Sequence, residues 1–264
     1  LSVDPYYDGY INDEITSENT SGVRPSLYIK NNTYVVRFKN QIISALQIVP
    51  FKVKDYEDSY FILGVSTRRD YEGQGFMKLL MNHVLEVYKG KRIYLQAYHP
   101  EIYVPFGFKE SHRHILYKLD KAKYALPSSI CLSQDINHLH DAYNLYVRDF
   151  SHYLIRDEDY FNNYLRKRCA AFNDSILTFK NEYGQQGYMI YNDRGKFVYI
   201  SEFIYNKEYL DDILKTISVY FYKDIRIETD CMASIHGEKT DMITMMCNQE
   251  DNTPLEKRYI NEIY

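Results

Sequence analysis

The sequence predicts an α/β protein of two domains, each a mixed sheet flanked by helices, with the second domain a degenerate copy of the first. Three observations carry this. Hydrophobic alternation of period two gives way to a spacing of 3.6 and then returns, twice along the chain. Both passes keep one order of elements, three strands, then a helix, then a strand. And 264 residues suffice for two ordinary cores, since domains run to ~100–200 residues.

In the first pass, runs at 26–30 and 33–37 flank Asn31-Asn32, a dipeptide that tolerates the positive φ of a hairpin turn. Runs at 41–49 and 59–67 follow. The second is nearly continuous in apolar residues, as expected of a central strand buried on both faces. Phe76, Met77, Leu80, Met81, Val84 and Tyr88 then lie at helical spacing and Gly90 stops them, which predicts a helix over 75–89. Strands are expected at 92–97 and 108–119, with a short segment at 102–106 between them. Residues 120–134, with Pro127-Ser128-Ser129, lose periodicity and read as a linker. The expected domains are 1–122 and 123–248, followed by a tail at 249–264.

In the second pass, Ser133 is placed to cap a helix carrying Ile136, Leu139, Tyr143, Tyr146 and Phe150. Asp157 is placed to cap another carrying Tyr160, Phe161, Tyr164 and Leu165. Strands at 176–180, 188–191 and 197–205 follow, with Asn192-Asp193-Arg194-Gly195 as a turn. A helix bearing Leu210, Ile213, Leu214 and Ile217 and strands at 225–229 and 242–247 complete the repeat. Asn206-Lys207-Glu208 stands where the first pass has glycines.

Composition narrows the function classes. With 45% hydrophobic and 26% charged residues, the chain is of the globular type, not disordered, collagen-like or a disulfide scaffold. No apolar run approaches the ~20 residues that cross a bilayer. A net charge of −4 argues against nucleic acid and for a cationic small molecule. Cys131, Cys169, Cys231 and Cys247 stand far apart, without Cys-x-x-Cys, and read as thiols of a reducing cytoplasm. No signal-peptide pattern opens the chain, although the missing initiator Met leaves a removed leader open. His112 with His114, and His138 with His140, lack a carboxylate or Cys at ligand spacing; they read as surface histidines, and no metal is expected.

The sharpest local feature is the run from Val65 to Met77, in which a buried strand ends, Gly73 and Gly75 follow in a short loop, and an amphipathic helix begins at once. Glycines let the backbone approach an anion, and the first turn of a helix offers unpaired N–H groups. Such a junction suits a pyrophosphate. No Gly-Lys-Ser/Thr follows and no third glycine completes a dinucleotide fingerprint, so kinase and Rossmann readings lose their support.

This run, with Glu72-Gly73-Gln74-Gly75-Phe76-Met77, resembles the acetyl-CoA pyrophosphate loop of the GNAT superfamily of N-acetyltransferases, Arg/Gln-x-x-Gly-x-Gly/Ala after a strand. Tyr103-Val104-Pro105-Phe106-Gly107-Phe108 is similar to a second landmark of that family, Tyr-x-x-x-Gly-Phe. Within the superfamily the chain is most similar to the enhanced-intracellular-survival (Eis) type, through Arg156-Asp157, residues 187–191 and Ser201-Glu202-Phe203. The resemblance implies two tandem GNAT-like domains, the second without a pyrophosphate loop. A short tail is expected after residue 248, where the longer members of the family carry a sterol-carrier-like domain. Glu72 and Met77 depart from the pattern. Glu72 leaves phosphate binding to backbone N–H groups, with Lys78 or Arg69 as helpers.

What the resemblance implies is a cytoplasmic, bacterial-type acetyltransferase that moves an acetyl group from acetyl-CoA directly to a primary amine. The acceptor would be a cationic small molecule or a lysine, with the second domain walling the acceptor cleft. Self-association into a homo-oligomer is compatible with it. The implied cofactor contacts are Val65, Thr67, Gly73, Gln74, Gly75, Phe76, Met77 and Lys78. The Val65 N–H would stabilise the tetrahedral oxyanion and Tyr103 would protonate the leaving thiolate. The Tyr264 carboxylate is the implied base, with Glu101 second to it. Readings from other classes are a catalytically silent CoA-binding module and a tyrosine-rich protein-interaction domain.

Overall fold

The computed structural model describes residues 2–6, 32–56, 58–230, 232–250 and 253–261. They fall into two compact units, one holding the described residues up to 111 with 245–250, the other 112–244 with 253–261. The expected strand at 26–30 and its turn at Asn31 lie outside the described residues.

In the first unit, β1 (Ser2–Tyr6), β2 (Thr33–Phe38), β3 (Gln41–Pro50), β4 (Ser59–Thr67) and β5 (Arg92–Ala97) lie side by side in chain order. All are antiparallel to their neighbours except β4 and β5, which run parallel. The parallel pair requires a crossover. That crossover is α1 (Phe76–Val87), which buries Leu80, Met81 and Val84 against Val36, Ile43, Ile48, Ile62 and Leu95 of the sheet. Two 3₁₀ turns, Pro100–Ile102 and Val104–Phe106, lead out of β5. The sequence shows no signal for β1. It carries Pro5, which demotes a strand pattern, yet an edge strand tolerates it, and its register runs from Ser2↔Arg37 to Tyr6↔Thr33.

The second unit contains most of β6 (Lys109–Leu119), β7 (Cys131–Ser133), α2 (Leu139–Val147), β8 (His152–Tyr153) and a π-helical turn, Tyr160–Leu165, that runs into α3 (Arg166–Phe172). There follow β9 (Ser175–Asn181), β10 (Gly184–Asp193), β11 (Phe197–Tyr205), α4 (Leu210–Tyr220), β12 (Asp224–Thr229), β13 (Gly237–Cys247) and β14 (Arg258–Tyr259). The sheet order is β13-β6-β12-β11-β10-β9-β7, and β14 pairs separately with β8. The last three residues of β13 belong to the first unit, beside β5. One core of Tyr143, Tyr188, Phe179, Phe203, Ile213 and Ile227 lies under α2 and α4.

Three expectations need correction. The stretch read as a linker contains β7, too short to show a period, which pairs with β9 from Cys131↔Lys180 to Ser133↔Thr178. Ser133 does not cap α2; its Oγ accepts from the Asp135 N–H at 3.1 Å, and α2 starts after His138 in a left-handed conformation. His112 and His114 are not at the surface but buried at 0% and 2% exposure. Glu228 Oε1 lies 2.7 Å from His114 Nδ1, and the Tyr259 ring stacks on the His114 imidazole, so a carboxylate and an aromatic face replace water. Asp157 does cap its helix, accepting from the Tyr160 N–H at 2.8 Å.

A shared detail links the two parallel pairs. The β4–β5 ladder holds four pairs, Ser59↔Arg92 to Ile62↔Leu95, and so does β11–β12, Phe197↔Asp224 to Ile200↔Ile227. In each unit the longer strand then slips register against its antiparallel neighbour. No described helix is long and apolar enough to cross a membrane.

Candidate active site

The site is built on the end of β4. Its ladder with β5 stops at Ile62↔Leu95, yet the strand continues to Thr67. Against β3 the register shifts between Ala45↔Ser66 and Gln47↔Leu63, with Gly64 at φ 60°. A bulge bends the strand and re-aims its backbone. From Gly64 to Thr67 the β5-facing edge of β4 therefore has no ladder partner. An unpaired edge is a template for another extended backbone, including the amides of a ligand. Val65 lies on this edge and half-buries its side chain against the unit's core. Thr67 Oγ1 is 2.9 Å from Ser44 Oγ, so what Thr67 offers a ligand is its main chain.

Beyond β4 the chain makes a 3₁₀ turn at Arg69–Tyr71 and enters the glycine loop. Gln74 Nε2 donates to the Asp70 carbonyl at 3.0 Å, bracing that loop. Gly73 and Gly75 have φ of 71° and 85°, and a Cβ at either would meet nothing within 4 Å. Gly75 precedes α1 with no side chain capping the helix. Among the described residues, none of the backbone N–H groups of residues 73–78 donates to a protein acceptor. The first turn of a helix leaves its donors open and carries a partial positive charge. Phe76 and Met77 pack on the core beneath, Lys78 is exposed, and so are Arg69 and Glu72.

Tyr103 joins the two 3₁₀ turns and packs against the same buried cluster as Val65, Phe76 and Met77. Its ring meets Phe108 edge to face at 6.3 Å. Burial pushes its phenol above the ordinary tyrosine range, and its hydroxyl has no hydrogen-bond partner among the described residues. The result is a phenol that stays protonated at neutral pH, with no acceptor among the described residues. Glu101 is exposed, with Oε1 3.4 Å from His99 Nδ1. Tyr264 lies outside the described residues. Among those residues no group of three or more His, Cys, Asp or Glu could hold a metal.

The open amides, the unpaired strand edge and the Tyr103 phenol gather around one buried cluster of the first unit, an arrangement that can receive an extended ligand bearing an anion. Residues 13–111 match the family model of an acetyltransferase (GNAT) domain. No curated protein matches the chain. Solved structures do. A GCN5-related N-acetyltransferase from Kribbella flavida aligns over 93% of this chain and 70% of its own, at 13% identity and a TM-score of 0.68. Eis1 from Mycobacterium abscessus aligns over 93% and 73%, at 10% identity and 0.61. A tandem GNAT protein from the clavulanic acid biosynthesis pathway aligns over 95% and 100%, at 11% identity and 0.57. At these identities the likeness is one of fold, the mixed α/β fold of GNAT acyltransferases, tandem members included. The domain match supports acyl transfer in general, with an acyl-CoA as co-substrate.

The second unit also has a strand-to-helix junction, and there a side chain caps the turn. Asn206, between β11 and the 3₁₀ turn that opens α4, accepts from the Glu208 N–H at 3.1 Å with its own side chain. A capped turn has spent the donor that an anion would need.

Proposed function

We propose that the protein is an N-acetyltransferase that moves the acetyl group of acetyl-CoA to a primary amine by direct transfer. The observation that carries this is the row of open amides at residues 73–78. Gly73, Gln74, Gly75, Phe76, Met77 and Lys78 hold the diphosphate, and the free edge of β4 at Val65 and Thr67 pairs with the arm that carries the thioester. When bound, the thioester supplies the acyl group. The Val65 N–H steadies the oxyanion of the tetrahedral adduct, and the Tyr103 phenol donates its proton to the departing sulfur. The amine sheds its proton through a base or a water route as its bond to the acyl carbon forms. The acidic balance of the chain favours a cationic small molecule or a lysine side chain as acceptor. The second unit, with its self-capped turn, is read as a copy that does not bind the co-substrate.

The test is acetyl-CoA-dependent release of free thiol with a panel of primary amines, read beside thermal unfolding. CoA at one hundred times its Kd should stabilise the protein by about 2.7 kcal/mol, and at least one amine should release thiol. Stabilisation with no release from any amine would leave a silent CoA-binding module. Neither response would leave an interaction domain.

Gly75→Ala probes the loop separately. A left-handed conformation costs an L-residue about 1–2 kcal/mol. The variant should therefore lose about that much stability in denaturant titration, although its Cβ meets no protein atom. It should also lose most of the stabilisation by CoA, because that Cβ projects into the volume the diphosphate needs.

A further inference from the structure

A cavity of about 470 Å³ opens in the second unit, at the opposite end of β11 from Asn206. Its floor is the end of the sheet. Ser175 stands opposite Tyr191 in the β9–β10 register, and Asp193 opposite Val198 in the β10–β11 register. Tyr191 and Asp193 are two apart on one strand, so both side chains leave it on the same face. Its wall is the stretch that leaves α4. Tyr220 ends that helix and Phe221 turns extended, with φ −93° and ψ 123°, so three consecutive aromatic side chains diverge. Phe221 packs on Tyr191 edge to face at 5.1 Å, and Tyr220 meets Phe221 edge to face at 4.9 Å. Tyr222 stays out, 98% exposed.

Packing does not account for this surface. A helix C-terminus favours glycine or a basic side chain, yet α4 has no basic residue in its last turn. The chain presents instead Tyr220, 49% exposed, and Tyr222, which adds almost no burial. Large rings gathered at the mouth of a cavity mark a site of contact. The chemistry around it selects the occupant. Aromatic rings take a planar π-system in offset or edge-to-face contact. Lys223 Nζ lies 2.6 and 2.5 Å from the two Asp193 oxygens, so the rim carries no net charge and an ionised ligand would have to break that pair. The Asn173 carboxamide makes no hydrogen bond among the described residues and presents donors and an acceptor side by side. A cavity of ~150 Å³ holds benzene, so this one has room for a fused bicycle.

We infer that this cavity binds an uncharged, planar aromatic heterocycle of one or two fused rings, stacked on Tyr220 and Tyr222 with its polar edge on Asn173. The site is independent of the acyl-transfer reading.

The chain has no tryptophan, so indole fluorescence reports the ligand alone. N-acetyltryptophanamide, by fluorescence, and nicotinamide, by calorimetry, are titrated into the protein with and without saturating CoA. Cyclohexanecarboxamide serves as the saturated counterpart and indole-3-acetate as the charged one. Both heterocycles should bind saturably, one per chain, with a Kd of about 1 mM or tighter, and CoA should change neither by more than twofold. The two counterparts should bind about tenfold more weakly or less. Tyr222→Ser removes a ring and almost no burial, so it should weaken both heterocycles by about 5- to 100-fold with the melting temperature unchanged. Asn173→Gly keeps the left-handed backbone, φ 57°, and should weaken them by about 2- to 10-fold. A Kd weaker than about 10 mM for both heterocycles, or affinity within twofold of wild type in Tyr222→Ser, would overturn the inference. Equal binding of the saturated ring would reduce the site to an apolar patch, and displacement by CoA would put the heterocycle in the first unit; either result overturns it too.

Discussion

Replacing Tyr103 with phenylalanine should lower turnover by about 10²- to 10⁴-fold, the range for removing a positioned general acid, while the affinity for acetyl-CoA stays within twofold. The Tyr103 ring packs on the core shared by Val65, Phe76 and Met77 and meets Phe108 edge to face, contacts that phenylalanine keeps. Its hydroxyl bonds no described protein group, so its removal leaves no orphan and should change stability little. What vanishes is the proton.

The pH dependence follows with a definite sign. Burial favours the neutral phenol and raises its pKa, so the acid form persists from neutral pH to beyond the ordinary tyrosine value of about 10. In the wild type the alkaline limb of kcat should lie above that value. The same shift makes the folded state hold its proton more tightly than the unfolded chain, so the associated stability is complete below the unfolded pKa and is lost as pH rises through the folded one. Steady-state kinetics and a pH profile of both proteins decide the matter. Equal turnover in Tyr103→Phe would remove Tyr103 as the acid.

Much of the frame was legible because the signals are local. The span of β4 is the apolar run 59–67, that of β5 the run 92–97, and that of β11 the run 197–205. Continuous apolar strands bounded by polar turns announce their own ends. The helix after Gly75 was legible from spacing, and the loop from two glycines whose conformations, φ 71° and 85°, suit little else. What could not be read depends on partners remote in the chain. His112 and His114 resemble surface histidines until Glu228 and Tyr259 are brought to them. The three residues of β7 acquire strand character only from β9.

The open edge of β4 was equally hidden. Its sequence stays strand-like to Thr67 while its ladder with β5 ends at Ile62, and where a ladder ends is a property of two strands together. Ser66 and Arg68 gave no signal for the same reason. A serine and an arginine near a strand end read as solvated, and only the fold closes water away from Ser66 Oγ and Arg68 Nε.

Arg156→Met should cost the second unit about 3–5 kcal/mol, the penalty for leaving one partner of a buried ion pair behind. Arg156 and Glu202 are 3% and 4% exposed. One guanidinium nitrogen lies 2.9 Å from each Glu202 oxygen, and another donates to the Asn261 carbonyl at 2.6 Å. The guanidinium sits over the rings of Tyr143 and Tyr160 at 4.6 and 4.7 Å. Methionine refills the volume and can touch both rings, so packing accounts for little of the loss. Charge accounts for most of it, since among the described residues Glu202 would keep only the Tyr188 hydroxyl, which donates at 2.5 Å. That phenol cannot follow by ionising, because burial and then the Glu202 charge hold its pKa well above the ordinary range. A loss of this size is a large share of the ~5–15 kcal/mol that holds a domain folded.

Two readouts separate this account from a generic core defect. Replacing both partners with apolar residues, Arg156→Met with Glu202→Leu, should recover much of the loss, because no buried charge is then stranded. And because Arg156 also grips the Asn261 carbonyl, amide exchange in residues 258–261 should quicken in Arg156→Met beyond the change expected from global stability, while β9 and β10 report the global value alone. A denaturation midpoint within 1 kcal/mol of wild type, or a double variant weaker than the single one, would show that the pair is not what holds these residues together.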